Sequence, residues 1–411
     1  MCRICTDPVE SLVELTELDC SHCHDLVGIP PELVNLQSLQ TSDCRLLATI
    51  PDTLTALTAL DCSGCPLLAS LPLTLSRLRS LRCKDCILLT SIPATFVQLT
   101  NLFCDGCSLL TSIPVELVGL TALDCSDCSS LVSIPDTLVR LQRLNCSWST
   151  LVPSIPSTLT QLARLDCSGC NRLASIPATL TRLVSLSCAY CRRLESIPPT
   201  LTRLVKLTCT CCLLLESIPS TLRALEQLYC AHCPLMVLPV DMPTSLTQLT
   251  CDCCPLVAFI PATLVNLAYL SCDECPLLVS IPDTLVHLRI LECGRCTRLT
   301  SIPSTLVRLR RLVAFDCRRL VSIPPTCNAI NCAGCPWLPQ NARAFPAHLP
   351  SLLRLQRWFR HGKKQVFKRV IRTRAFNEFV FHPDRIGGKL VKRQMEAELG
   401  NMRPAKHQRT E

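Results

Sequence analysis

The stretch Leu57-Thr-Ala-Leu60-Asp-Cys62-Ser-Gly-Cys65-Pro-Leu-Leu68-Ala-Ser-Leu71-Pro72 decides the fold, because close copies of it recur along most of the chain. The Ile/Leu-Pro pair that ends it returns with a constant 21-residue period, and a shortening at Pro239 is compensated by the next unit. A fixed period of this length is typical of a solenoid built from stacked coils. The prolines in step are Pro30, Pro51, Pro72, Pro93, Pro114, Pro135, Pro156, Pro177, Pro198, Pro219, Pro261, Pro282, Pro303 and Pro324.

Each unit contains one short strand and two turns. Leu60 and Cys62 flank Asp61, and this alternation predicts a strand that places Leu and Cys in the core and Asp61 in solvent. Cys65 begins a turn, and Ile/Leu-Pro-x-Thr-Leu predicts a 3₁₀, helical or irregular turn, because proline fits the first position of such a turn. Stacking about sixteen coils would pair the strands in one parallel sheet over a continuous Leu and Cys core.

The pattern matches LxxLxLxxN/CxL, with Cys62 and Cys65 in the third apolar and Asn/Cys slots, so the chain resembles the leucine-rich-repeat family over about four fifths of its length. The resemblance implies a leucine-rich-repeat horseshoe or arc, with the parallel β-sheet on its concave face and short turns on its convex face. The SIPxTL form resembles the short repeats of bacterial and large-DNA-virus proteins, and residues 376–389 are similar to the tails of leucine-rich proteins of large DNA (giant) viruses.

The pattern divides the chain into three predicted segments: a degenerate N-terminal cap (1–11), the solenoid (12–339) and a basic, largely helical C-terminal segment (340–411). The last segment holds 17 of the 41 Lys and Arg residues but 5 of the 32 Asp and Glu residues. Nucleic-acid or acidic-surface contact is therefore expected only there. The candidate contacts are Arg357, Arg360, Lys363, Lys364, Lys368, Arg369, Arg372 and Arg374.

Two columns, at the positions of Cys62 and Cys65, hold 29 of the 34 cysteines. Cysteine can fill a core as a small apolar residue, whereas CxxC pairs one period apart also have the spacing of a zinc ribbon. We favour the core role over zinc or disulfides, because Thr41, Ser149 and Ala314 also occupy these columns. Cys2-Arg-Ile-Cys5 resembles the opening of a RING-type zinc module without its other ligands. We therefore expect no metal and no cofactor.

The chain begins without a recognisable signal peptide and contains no apolar run long enough to span a membrane. These features predict an intracellular, cytoplasmic and reducing setting, in which thiols stay reduced.

The concave face supplies the candidate partner-binding residues. Exposed aromatic residues in a chain with 4% aromatics suggest a contact patch, because Trp and Tyr dominate interface hot spots. Exposed carboxylates and single aromatics are also ordinary surface residues. The predicted contacts are Asp61, Asp85, Phe103, Asp124, Trp148, Asp166, Tyr190, Tyr229 and Tyr269, with the aromatic residues expected in equivalent positions.

These observations predict a non-enzymatic scaffold for protein–protein interaction. No HExxH, Gly-x-Ser-x-Gly or phosphate-binding glycine loop is present. One alternative is a ubiquitin-ligase-like substrate adaptor that works through the C-terminal segment, although this segment contains no cysteine. The other is a nucleic-acid-associated protein that binds through the basic tail, with an affinity that falls steeply with salt.

Overall fold

The chain folds as one parallel sheet of sixteen strands in sequence order, as far as the residues described by the computed structural model extend. The structure describes residues 2–338 apart from residues 235, 326, 328, 336 and 337. Neighbouring strands pair in register, so that Leu60 lies beside Leu39 on one side and Leu81 on the other. The predicted repeat solenoid is confirmed.

Each strand is three residues long, since the chain must turn again within a 21-residue coil. The strands are β1 Glu17–Asp19, β2 Ser38–Gln40, β3 Ala59–Asp61, β4 Ser80–Arg82, β5 Asn101–Phe103, β6 Ala122–Asp124, β7 Arg143–Asn145, β8 Arg164–Asp166, β9 Ser185–Ser187, β10 Lys206–Thr208, β11 Gln227–Tyr229, β12 Gln248–Thr250, β13 Tyr269–Ser271, β14 Ile290–Glu292, β15 Arg311–Val313 and β16 Ala329–Asn331.

The core repeats with the coil. In the coil of β3 the inward side chains are buried: Leu54, Leu57, Leu60, Cys62, Cys65, Leu68 and Leu71. The same positions are buried in the following coils, and Phe96 is an aromatic residue among the leucines. The Leu and Cys columns therefore form one continuous core along the described sheet.

The turns opposite the strands are isolated and do not continue into helices. In several coils the leucine of Pro-x-Thr-Leu donates its N–H to the carbonyl of the proline, and Leu117 does the same to Pro114. The threonine of this motif donates its hydroxyl to a backbone carbonyl of the preceding coil; Thr53 reaches Pro31 at 2.6 Å and Thr74 reaches Asp52 at 2.6 Å. These hydroxyls link successive coils on the side away from the sheet.

Helical structure occurs at the start of the described chain, in α1 Arg3–Thr6 and a 3₁₀ turn Val9–Ser11. These elements lie in the segment predicted as an N-terminal cap. A search of the described residues finds no helix long and apolar enough to cross a membrane. The boundary predicted at residues 339 and 340 stays a prediction, and residues 340–411 lie outside the described part of the chain.

Candidate binding face of the sheet

The interior of the turn that follows each strand is fixed by cysteine thiols. From the second coil onward, the thiol at the Cys65 position donates to a backbone carbonyl of the preceding coil, with sulfur to oxygen distances of 2.8–3.2 Å. We call this row the thiol ladder; its members are Cys44, Cys65, Cys86, Cys107, Cys128, Cys170, Cys191, Cys212, Cys233, Cys254, Cys275, Cys296, Cys317 and Cys335. Ser149 takes the same place and donates its hydroxyl to Cys125 at 2.7 Å.

Burial raises the pKa of several thiols in the two cysteine columns, whereas a hydrogen bond with a neighbouring cysteine lowers the pKa of Cys86, Cys170, Cys212 and Cys275. Burial raises the pKa of Cys65 to about 12 and raises the pKa of Cys125 and Cys209 well above the usual thiol value. A protonated thiol can donate a hydrogen bond, whereas a thiolate cannot. The columns are therefore suited to a core role, and the described column thiols do not gather among themselves into groups of three that could hold a metal ion.

A second row runs along the exposed side of the same turns and has positive φ values throughout. We call it the left-handed ridge. Its members are His22, Asp43, Gly64, Asp85, Gly106, Asp127, Trp148, Gly169, Tyr190, Cys211, His232, Cys253, Glu274, Arg295, Asp316 and Gly334. Bulky residues rarely adopt this conformation, and it costs roughly 1–2 kcal/mol for a residue with a Cβ.

Trp148 and Tyr190 form an aromatic pair on this ridge. Their φ values are 61° and 60°, and their backbone N–H groups donate to Ser168 and Thr210 of the following coils at 2.7 Å. The ring centroids lie 5.6 Å apart with the planes tilted by 37°. The side chains are 47% and 43% exposed. Two large rings thus stay in solvent although their backbones adopt an unfavourable conformation.

Gly169 lies between the two aromatic residues and makes their approach possible. A Cβ on Gly169 would be 2.6 Å from Cε3 and 2.7 Å from Cδ2 of Trp148, so the indole ring covers the glycine backbone. Asp85 is placed in the same way, since its carboxylate lies over Gly106. The glycines of the ridge therefore leave room for the side chain of the preceding coil.

The other aromatic residues lie elsewhere on the sheet, so the prediction that all five are equivalent is wrong. Phe103 and Tyr229 end β5 and β11, whereas Tyr269 begins β13. The reason is the short strand: residues before, within and after it all reach solvent, and a shared period does not make their positions the same.

Each of these three rings has a neighbour from its own chain. The Arg82 guanidinium lies 4.5 Å from the Phe103 ring centroid, and the Lys206 ammonium lies 5.6 Å from that of Tyr229. The Tyr269 hydroxyl donates to Glu292 at 2.9 Å. Burial and this hydrogen bond raise the pKa of Tyr269 to about 12.

The predicted aspartates at strand ends have local partners. Asp61, Asp124 and Asp166 accept the backbone N–H two residues further on, at 3.1, 3.1 and 3.0 Å. This side-chain to backbone hydrogen bond is the Asx-turn that Asp commonly forms beside a turn. These carboxylates therefore stabilise the turns after β3, β6 and β8, and the second oxygen of Asp124 also accepts from the Asn145 amide at 3.1 Å.

One acidic group was missed by the sequence analysis. Asp252 accepts hydrogen bonds from the Ser271 hydroxyl at 2.7 Å and from the Asp273 backbone at 2.9 Å. Burial raises the pKa of Asp273 to about 6, with Asp252 and Glu292 nearby adding to the shift. The 21-residue period could have found Asp252 and Asp273, because they occupy the same position of two neighbouring coils.

Another group brings three thiols together at the N-terminal end. The sulfurs of Cys2, Cys5 and Cys23 all lie within 4.8 Å of one another, close enough to hold a metal ion. The predicted tail contacts between Arg357 and Arg374 lie outside the described residues.

The in-register sheet, the 21-residue coils and the leucine columns define a leucine-rich-repeat solenoid. Among solved structures, the chain is similar to YopM, a leucine-rich effector protein from Yersinia pestis, with 21% identity and a TM-score of 0.52 over 77% of this chain and 88% of YopM. No protein-family model matches the sequence, and no curated protein matches it.

Two further solved structures are similar to this chain at lower TM-scores. A leucine-rich-repeat protein of Leptospira interrogans is 17% identical, with a TM-score of 0.48 over 83% of this chain and 96% of that one. The functional domain of InlJ from Listeria monocytogenes, which includes a cysteine ladder, is 22% identical, with a TM-score of 0.46 over 71% and 75%. At 21% identity the likeness to YopM shows the fold alone and leaves the partner open.

Proposed function

We propose that the chain is a non-enzymatic protein-binding scaffold and that its partner docks on the exposed face of the sheet at Trp148 and Tyr190. Solenoids of stacked repeats offer extended surfaces of this kind for binding. The observation that carries the proposal is the exposed aromatic pair, which the chain maintains in a left-handed backbone conformation. Every ridge position shares this conformation; what distinguishes Trp148 and Tyr190 is that two large rings are retained there, partly exposed.

The surroundings of the pair favour a partner that presents an apolar side chain among charged residues of both signs, because Arg143 and Arg164 are exposed at the starts of β7 and β8 and aspartates lie nearby. Asp127 precedes Trp148 on the ridge, and Asp124 and Asp166 end strands β6 and β8 on either side of the Trp148 coil. Gly106 and Gly169 are the small ridge residues beside Asp127 and Trp148, and Cys211 follows Tyr190, so a side chain of the partner can reach the ring faces. Complementary charge would speed association and make it sensitive to salt.

The test compares two matched double variants for binding to the same partner. Trp148→Ala with Tyr190→Ala removes the aromatic pair, whereas Val118→Ala with Val139→Ala removes two similarly exposed side chains from the turns away from the sheet. Proteins captured from the native cell extract are identified first, and the affinity of each purified candidate is then measured by calorimetry. We expect the aromatic variant to bind at least about tenfold more weakly, the size of a hot-spot loss, and the valine variant to bind normally.

Equal affinities of the two variants would contradict the proposal. So would a partner that needs residues 340–411 and is indifferent to Trp148 and Tyr190, since this result would favour the adaptor or nucleic-acid function expected from the tail. Those two functions, the cytoplasmic setting and the resemblance to proteins of giant viruses stay predictions.

A further inference from the structure

The first coil departs from the thiol ladder. Every later member of that column donates to a carbonyl of the preceding coil, but Cys23 has no preceding coil. Its sulfur instead lies 3.6 Å from the sulfur of Cys5. Cys5 in turn lies 3.8 Å from Cys2, measured between the sulfurs. The Cys23 thiol therefore meets another thiol, where the later thiols of the column meet a backbone oxygen.

The short helix α1 brings the two outer cysteines together. Cys2 caps it and Cys5 lies three residues further on, which places both side chains on one face. The Cys5 N–H donates to the Cys2 carbonyl at 2.9 Å, and an ion pair between Arg3 and Asp7 at 2.9 Å spans the turn. The short helix by itself thus places the thiols of Cys2 and Cys5 side by side at the N-terminal end of the core.

The spacing of the sulfurs fits a tetrahedral metal site. Zinc binds thiolate sulfur at about 2.3 Å, so two sulfurs on one zinc ion lie about 3.8 Å apart. The observed sulfur–sulfur distances of 3.8 and 3.6 Å match this separation. A disulfide would bring two sulfurs to about 2 Å. The arrangement is that of ligands around a common centre.

Cys20 supplies a fourth thiol. It is buried directly after β1, three residues before Cys23, although its sulfur is not among the three that lie within 4.8 Å of one another. The set then reads Cys2-x-x-Cys5 and Cys20-x-x-Cys23 with fourteen residues between the pairs, one fewer than the shortest spacing typical of zinc ribbons.

The chemistry of the side chains indicates which metal they would take. Soft thiolate ligands in a tetrahedral arrangement select zinc over magnesium or calcium.

We propose that Cys2, Cys5, Cys20 and Cys23 bind one zinc ion that fastens the N-terminal segment to the first coil. Each thiol loses its proton on binding, so four protons leave as the ion enters. A solenoid needs its open end covered, because each coil buries its core against a neighbour. The site thus acts as the N-terminal cap, and it does not depend on the function proposed for the exposed face.

The test uses the full chain, produced with zinc in the medium and freed of loosely bound metal by gel filtration. Elemental analysis should find about one zinc per chain. Cys2→Ser with Cys5→Ser should lose it, whereas Cys211→Ser with Cys253→Ser, which changes two other partly exposed cysteines outside the columns, should retain it. Far-UV circular dichroism checks that both variants keep the solenoid.

Cobalt(II) loading gives a second measurement that does not depend on stability. The native chain should acquire the intense visible absorption of tetrahedral thiolate cobalt. The variant with Cys2→Ser and Cys5→Ser, called the cap variant, should not. Cys20→Ser should weaken zinc binding by at least about tenfold, whereas Cys62→Ser, in the same column of an interior coil, should not.

Three results would overturn the proposal: zinc retained in full by the cap variant, no zinc in the native chain, or iron in its place. Equal binding by the Cys20→Ser and native chains would remove Cys20 from the ligand set.

Discussion

The thiol ladder and the left-handed ridge lie in the same turns but vary in opposite ways. Ladder positions are Cys in coil after coil, with one Ser, and each side chain meets a backbone carbonyl of the preceding coil. Ridge positions are Asp, Gly, Trp, Tyr, Cys, His, Glu and Arg, although all share a positive φ. Stacking requires the interior to repeat, whereas solvent imposes no such demand. Variation along the ridge is therefore where the coils can differ in what they bind.

The sharpest contrast lies between adjacent residues, Cys211 on the ridge and Cys212 in the ladder. Cys212→Gly should lower the free energy of unfolding by about 2–4 kcal/mol, since it leaves a cavity and deprives the Cys188 carbonyl of its donor. Cys211→Gly should raise it by about 1 kcal/mol, because glycine adopts a φ of 59° without a Cβ clash. Urea denaturation followed by circular dichroism measures both. Changes of the same sign would contradict the division into interior and ridge.

Gly169→Ala tests the packing under the aromatic pair. It should lower the free energy of unfolding by about 2 kcal/mol, because a φ of 73° is unfavourable for alanine and its Cβ would overlap the Trp148 ring. Tryptophan fluorescence should report the displaced ring. Gly28→Ala is the matched control, since a Cβ there meets no atom within 4 Å and φ is ordinary. Equal costs at the two glycines would show that the indole ring does not rest on Gly169.

Ser149 tests whether the ladder needs a donor or merely a small side chain. Ser149→Ala removes the hydroxyl from the buried Cys125 carbonyl. The loss should cost about 1–2 kcal/mol, since it leaves a buried acceptor without its donor. Ser149→Cys should be nearly neutral in urea denaturation, because thiols serve this position in the neighbouring coils. If the alanine variant is as stable as the cysteine variant, the hydrogen bonds of the ladder contribute little.

The smallest expected effect concerns Asp273, on the exposed side near the C-terminal end of the described sheet. Its pKa is raised to about 6 in the folded chain, above the unfolded value of 3.8, so the folded state binds the proton more tightly. This contribution to stability is fully present below about pH 4 and is lost as pH rises through about 6. Asp273→Asn should remove about 1 kcal/mol of this pH dependence, allowing for partial exposure. Urea denaturation of both chains at pH 4.5 and 7.5 checks this. If the free energy of unfolding changes with pH equally in the native and Asp273→Asn chains, Asp273 does not cause the pH dependence.

The predictions from sequence that held concern features repeated in every coil. The 21-residue period, the Leu columns and the Cys columns follow from burial, and burial imposes the same residue types at the same positions each time. The exposed residues were less predictable. Trp148 and Tyr190 were singled out because aromatics are scarce in this chain, but their pairing across Gly169 was not foreseen.

The sequence by itself determined the solenoid, because a 21-residue coil is too short to bury its own apolar residues and buries them by stacking on the next coil. The tertiary structure decided what the unrepeated residues do. A period cannot show that a turn has positive φ, that the indole ring of Trp148 covers Gly169, or that Cys23 meets Cys2 and Cys5 and not a carbonyl. Those outcomes depend on distances between coils and on where the stack begins, which are set when the chain folds.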